Sequence, residues 1–248
     1  MDNLFEYLTK EYNAPFSGWE FSYLDGRMVQ DDLPWDYKEI VEKYISGKNS
    51  LLDMDTGGGE FLYSLSNLPK NVFATEAYEP NIPIAEKLLK EKKIKLIPIK
   101  NNGEIPFDDD FFDIIINRHG AYVINELKRT LQKGGIFITQ QVGGLNGIDM
   151  NMAFETKTMD YVKWCLIENI ENFKNAGLEI LDYDDNIGKM KFKDIGAFVY
   201  FLKCIPWQVK DFSIDKHYKR LETINDIIQK KGHIEFIMHR FYLIVERL

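Results

Sequence analysis

Apolar positions from residue 50 onward form short runs that alternate with segments of helical periodicity. The runs predict seven strands, at 51–54, 71–75, 95–99, 112–116, 136–142, 178–183 and 234–245. The periodic segments predict helices at about 61–68, 83–91, 122–131, 160–175, 194–204 and 215–231. Strands that alternate with helices at this spacing are typical of βαβ units, so we expect a parallel sheet covered by helices on both faces.

The N-terminal segment has a different composition, and two later segments mark the ends of predicted elements. Residues 1–49 are acidic and rich in aromatic side chains, and Pro34 suits the first turn of a helix that runs to about Ser46. We expect Gly134 and Gly135 to end the helix at 122–131, and a loop at 143–150. The simplest organisation is a single domain over 1–248, with an N-terminal helical cap at 1–49, a core at 50–145, and a C-terminal half at 146–248 that carries a helical insertion at about 186–232.

Composition and charge exclude several classes of protein. No apolar run approaches the ~18–20 residues of a membrane span, and no signal peptide is visible. The chain has two cysteines, which predicts a reducing cytoplasm without a disulfide framework or zinc site, and its histidines and acids show no metal-ligand spacing. A net charge of −8 argues against nucleic acid and anionic lipid as partners.

The most informative stretch is a strand that runs into three glycines, Gly57, Gly58 and Gly59, and then into a helix. Glycine allows a sharp turn and lets a ligand approach the backbone. In open α/β sheets, ligands lie beyond the carboxyl ends of the strands, where this turn falls. A tight turn without a ligand is the alternative interpretation.

Polar residues follow the next three strands as well. Glu76 ends the second strand, where an acid can accept hydrogen bonds from both ribose hydroxyls of an adenosine-bearing ligand. Asn101 and Asn102 follow the third strand, and residues 117–119, Asn-Arg-His, follow the fourth. The glycine spacing fits neither G-x-G-x-x-G nor a P-loop, which disfavours a dinucleotide enzyme and a nucleoside triphosphatase.

These residues resemble the motifs of the class I S-adenosylmethionine-dependent methyltransferases. Asp53, Gly57 and Gly59 match positions of the family's first motif, and residues 74–81 resemble the second, with Glu76 as the ribose acid. Residues 104–115 resemble the segment before the fourth strand, and 127–135 the turn before the fifth. The resemblance implies a doubly wound, Rossmann-like sheet, mostly parallel and seven-stranded, with an antiparallel last strand.

The resemblance also implies the cofactor S-adenosyl-L-methionine, bound by the core at 50–145. The residues expected to bind it are Asp53, Asp55, Thr56, Gly57, Gly58, Gly59, Glu76, Ala77, Asn101, Asn102, Asn117 and Arg118. Two of them depart from the family, which has glycine at the position of Asp55 and an acid at that of Asn101. We expect Asp55 to weaken binding by repelling the cofactor carboxylate, although the same charge beside the cofactor ammonium would be a ligand.

The implied reaction is displacement at a methyl carbon, in which a general base matters if the nucleophile must lose a proton. His119 is the predicted base, with a structural histidine as the alternative. Tyr122 and Gln140 are expected to line the acceptor pocket, and strand alternation sends Gln140 and Gln141 to opposite sides. Trp19, Tyr23 and Trp35 are expected to form a lid over the site.

The sequence therefore predicts a methyltransferase of a small-molecule substrate. Two alternatives stay open: a non-catalytic protein that binds S-adenosylmethionine, and an RNA methyltransferase, which the ten acids and five bases of residues 1–50 disfavour. The acceptor, the methylated atom and the oligomeric state are not predicted.

Overall fold

The computed structural model describes residues 3–16, 21–101 and 103–248. Its helices are α1 Asn3–Tyr12, α2 Tyr37–Ile45, α3 Glu60–Ser64, α4 Ile82–Lys90, α5 Ile124–Thr130, α6 Ile148–Ala153, α7 Leu166–Asn175, α8 Ile195–Cys204 and α9 Ile214–Lys231. Its strands are β1 Met28–Gln30, β2 Ser50–Met54, β3 Asn71–Glu76, β4 Lys95–Pro98, β5 Phe112–Arg118, β6 Leu131–Val142, β7 Leu178–Phe192 and β8 Ile234–Arg247.

The strands form one mixed sheet in the order β1-β7-β8-β6-β5-β2-β3-β4. Strands β2 to β6 pair in parallel, whereas β8 runs antiparallel to β6. The α/β fold class with a mostly parallel sheet and an antiparallel last strand is thus confirmed. The predicted count of seven strands is corrected to eight within the described residues, because the three-residue β1, antiparallel to β7, is too short to show an alternating pattern.

Smaller differences concern element ends. Helix α5 ends at Thr130, before the two glycines that were expected to close it, and β6 begins at the next residue. The segment expected as a loop at 143–150 contains the start of α6, whose six residues are too few to establish a helical period.

The described residues divide into two compact units. The first contains the chain up to Leu33 together with Gly143–Lys163 and Asn186–His239, and the second contains Pro34–Val142, Trp164–Asp185 and Arg240–Leu248. The single domain expected from the sequence, with its inner boundaries, remains a prediction.

The second unit holds the parallel strands, and its apolar residues alternate between two cores. Leu51 and Ile114 pack with residues of α2, α3 and α4 on one face of the sheet. Their neighbours Leu52 and Ile115 pack with residues of α5 and α7 on the other face. Because both faces are buried, the strands appear in the sequence as continuous apolar runs.

The first unit has a core of its own, in which α8 is buried along nearly its whole length. Arg27 forms ion pairs there with Glu11 at 3.0 Å and Asp194 at 2.6 Å. Within the described residues, no helix is long and apolar enough to cross a membrane, and no three His, Cys, Asp or Glu side chains lie close enough together to hold a metal.

Candidate functional site

The carboxyl end of β2 leads into a turn with repeated left-handed backbone. Asp55, Gly57 and Gly59 have φ values of 54°, 65° and 88°. No atom beyond the two neighbouring residues lies within 4 Å of the position that a Cβ of Gly57 would take. The left-handed φ would strain any other residue there. The predicted turn thus leaves an open approach to the backbone beside Gly57. Gly58 and Gly59 are buried, and Gly59 precedes α3.

Glu76 ends β3 and is buried beside this turn. One carboxylate oxygen accepts a hydrogen bond from the backbone N–H of Gly57 and the other from that of Tyr78, each at 2.7 Å. The two oxygens of a carboxylate offer about four acceptor positions. Glu76 is therefore fixed in orientation and retains acceptor capacity for a pair of hydroxyl groups.

Asp53 is also buried, within β2. The hydroxyl of Thr56 donates a hydrogen bond to it at 2.6 Å. Burial raises the pKa of the Asp53 carboxyl to about 7, an effect that the Thr56 hydrogen bond and the charge of Arg118 partly offset. The contact indicates that Asp53 and Thr56 hold the turn together.

Asp55 differs from both neighbouring acids. Its two carboxylate oxygens are buried, and neither meets a donor with hydrogen-bonding geometry. Burial and the charge of Glu76 raise the pKa of the Asp55 carboxyl to about 7, although the nearby Ala121 amide lowers it somewhat. An unpaired carboxylate out of water is costly, so it favours either a proton or a cationic partner.

Asn117 and Arg118 lie at the end of β5, next to β2. The buried Asn117 amide oxygen accepts a hydrogen bond from Gln141 at 2.7 Å, and its amide nitrogen lies 3.4 Å from the Met54 carbonyl. Asn117 thus links neighbouring strands below the turn. Arg118 is exposed, with its guanidinium 4.7 Å from the centre of the Phe61 ring.

The remaining predicted cofactor residues lie beyond β3 and β4. Ala77 is half-buried directly after Glu76, and Asn101 is exposed three residues after β4 ends. Asn102 lies outside the described residues.

His119 follows β5 with a φ of 67°, and part of the residue is exposed at the surface. Its backbone N–H donates to the Gln140 carbonyl at 2.8 Å, and its Nε2 lies 3.5 Å from the Gln140 side-chain nitrogen. Partial withdrawal of the ring from water lowers the pKa of the imidazole, and the positive charges of Arg240 and Arg118 lower it further. The ring is therefore neutral near pH 7.

Gln140 is oriented by a residue that can only donate. The indole Nε1 of Trp35 donates to the Gln140 side-chain oxygen at 2.8 Å, so the amide NH₂ faces Nε2 of His119. This orientation favours Nε2 as the acceptor and Nδ1 as the nitrogen that carries the proton of the neutral ring. Gln141 turns to Asn117 and the Gly120 carbonyl instead, as the predicted alternation requires.

Two of the other predicted acceptor residues have hydrogen-bond partners of their own. Tyr122 donates its hydroxyl to Asn169 at 2.6 Å, and its ring packs on Phe137, which is a structural arrangement. Tyr23 belongs to the first unit, where it hydrogen-bonds Glu11. Trp19 lies outside the described residues. The acceptor-pocket and lid roles of these residues remain predictions.

Sequence reasoning missed the contribution of Trp35 to the orientation of Gln140. It assigned Trp35 only to a lid, because the indole and the amide stand 105 positions apart in the chain. The tandem Gln140–Gln141 after an apolar run was the available signal, since buried amides require partners.

Comparison with known proteins identifies the family of the sheet core. Residues 52–139 match the family model described as a methyltransferase domain. The resemblance to class I S-adenosylmethionine-dependent methyltransferases predicted from the sequence is thereby confirmed for this part of the chain. No curated protein matches the chain by sequence.

Solved structures share the fold at low sequence identity. A candidate methyltransferase from Bacillus halodurans has a TM-score of 0.62 and 16% identity, over 86% of this chain and 98% of that one. A geranyl diphosphate methyltransferase in complex with SAM has a TM-score of 0.53 and 12% identity, over 97% and 95%. The (4+2)-cyclase SpnF has a TM-score of 0.54 and 16% identity, over 98% and 94%. Because one of these proteins is named as a cyclase, the shared fold alone does not define the reaction.

Proposed function

We propose that the protein is an S-adenosylmethionine-dependent methyltransferase that acts on a small molecule. The observation that carries the proposal is the buried carboxylate of Glu76, held against the N–H of Gly57 at the open turn after β2. This arrangement fits a ribose, whose two hydroxyls would donate to the remaining acceptor positions of the carboxylate. The unpaired Asp55 carboxylate fits the charged amino-acid end of the same cofactor.

The bound cofactor would supply an activated methyl group with a neutral thioether as leaving group. The residues of the chain would hold the two reactants in place. Glu76 and the turn would hold the adenosyl end of the cofactor, and His119 with Gln140 would face the acceptor. Holding two reactants in line is worth roughly 7–11 kcal/mol of the activation barrier. The neutral ring of His119 would accept a proton at Nε2, in place of its contact with the Gln140 amide, where the nucleophile must lose one.

Ligand binding and methyl transfer test the proposal in turn. S-adenosylhomocysteine should raise the melting temperature and NAD should not, because only a ligand of the native state stabilises it. Transfer of labelled methyl from S-adenosylmethionine to a metabolite extract would then reveal the acceptor. A thermal shift with NAD and none with either adenosyl compound would contradict the proposal.

A second candidate function is binding of the cofactor without methyl transfer. Asp55 and Asn101, the two residues that depart from the family's motifs, favour it, and the lowered pKa of His119 makes that ring a weak base. Tight binding of S-adenosylmethionine with no labelled product from any extract would support this function.

An RNA methyltransferase is disfavoured by the net charge of −8. The two cysteines, Cys165 and Cys204, are unpaired, which supports the cytoplasm as the place of action.

A further inference from the structure

Three acids surround the turn after β2, and only one of them lacks a partner. Asp53 accepts from the Thr56 hydroxyl, and Glu76 accepts from two backbone N–H groups. Both oxygens of Asp55 are buried without a donor. The family has glycine at this position, so the carboxylate is a feature of this chain that needs a physical explanation.

The surroundings of Asp55 are closely fitted and negatively charged. A Cβ at Gly120 would lie 2.6 Å from one Asp55 oxygen, so this neighbour has room only for hydrogen. The titratable groups that face the turn are Asp53 on β2 and Glu76 on β3, whereas the loop after β5 contributes the amide of Ala121. Arg118 and His119 begin that loop, and the charge of Arg118 acts on Asp53.

We propose that Asp55 binds the ammonium group at the amino-acid end of the cofactor, an inference that rests on the proposed function. A zwitterionic amino acid that enters this negative environment turns its ammonium toward the acids and its carboxylate away. Among the three acids, only Asp55 has no donor in good hydrogen-bonding geometry to give up, since the amide of Ala121 is merely nearby. The geometry therefore predicts that Asp55 strengthens cofactor binding. The sequence led to the opposite expectation, in which Asp55 repels the cofactor carboxylate.

The residue is suited to such a change of partner. Asp55 as a whole is half-buried although its oxygens are covered, so contact with a ligand requires the carboxylate to turn toward solvent. The ligand-free protein carries the cost of an unpaired buried acid, and binding of an ammonium group removes that cost. Since the ion pair needs the ionised acid, binding near neutral pH releases a proton.

Isothermal calorimetry with two probes tests the inference. S-adenosylhomocysteine contains the ammonium group, and 5′-methylthioadenosine lacks the whole amino-acid end. Asp55→Asn should weaken binding of S-adenosylhomocysteine roughly 10- to 100-fold, as loss of a charged hydrogen bond does, and leave binding of methylthioadenosine unchanged. The exposed Asp108→Asn provides the matched control, with both affinities unchanged.

A second variant guards against misfolding. Asp55→Gly removes the carboxylate and suits the φ of 54°, and it should lose the same affinity for S-adenosylhomocysteine. In wild type, the affinity should fall as the pH drops below about 7, with proton release that varies with buffer ionisation enthalpy. The pH dependence of the affinity and the proton release should both be smaller in Asp55→Asn. They should not vanish, because the Asp53 carboxyl also has a pKa of about 7.

The outcomes separate the two proposals. Unchanged or tighter binding of S-adenosylhomocysteine in both Asp55 variants, with wild type binding both probes, overturns the ammonium site alone. Weaker binding of both probes by the same factor also overturns it, since the effect would then not depend on the amino-acid end. A wild-type protein that binds neither probe overturns the proposed function, and this inference with it.

Discussion

The indole N–H of Trp35 fixes which way the Gln140 amide faces, through a hydrogen bond of 2.8 Å to its oxygen. Because the amide nitrogen then faces His119, we predict that the neutral His119 ring carries its proton on Nδ1. Nitrogen-15 shifts of the imidazole at pH 7 would measure this. Trp35→Phe should mix the two tautomers, whereas Trp207→Phe, a half-exposed indole in the other unit, should leave them unchanged. An Nε2–H tautomer in wild type would contradict the assignment.

The role of His119 in turnover is a separate prediction. If the ring accepts a proton from the acceptor, His119→Ala should lower kcat by roughly 10²–10⁴-fold with little change in affinity for S-adenosylhomocysteine. Because its pKa is lowered, the acid limb of the wild-type rate profile should lie below pH 6.5. His233→Ala, on a half-exposed residue of the first unit, is the control. Normal turnover in His119→Ala would assign the histidine a structural role.

Glu76 should account for much of the affinity for the adenosyl group. Glu76→Ala should weaken binding of S-adenosylhomocysteine by about 1.5–3 kcal/mol, the range for hydrogen bonds to charged groups, and Glu76→Gln should weaken it less. Calorimetry would measure both, with the exposed Glu79→Ala as the control from the same loop. Equal affinity in Glu76→Ala and wild type would show that the second motif is misaligned.

The ligand-free stability should depend on the charge of Asp55. A folded-state pKa raised to about 7, above the unfolded value near 3.9, means that the native state binds the extra proton. Stability should therefore decrease as the pH rises from about 4 to 7 and level off above. Asp55→Asn should raise the Tm at pH 8 by at least ~2–4 °C, the shift for roughly 1 kcal/mol, and have a smaller effect at pH 5.

Asp108→Asn is the comparison for that stability experiment, since it removes an exposed charge. A lower Tm for Asp55→Asn at pH 8 would show that the ionised carboxylate has a stabilising partner in solution.

The sequence predicted the parts of this protein that depend on local pattern. The run Leu51–Met54 between polar residues indicated a buried strand, and the glycines after it indicated a turn, because both follow from the chemistry of adjacent residues. The partners of side chains distant in sequence were not predictable. Nothing in the pattern around Asp55 shows that its oxygens are covered, and nothing around Trp35 specifies the amide that it orients.

The two compact units are interleaved along the chain, and this has a consequence for how the protein can be divided. The chain passes between them after Leu33, Val142, Lys163, Asp185 and His239. Strands β7 and β8 each contribute residues to both units. No single cut therefore yields two independent fragments, and removal of β8 takes residues from both units. A library of truncations should accordingly contain no product that consists of one complete unit alone, unlike a protein whose domains follow one another in sequence.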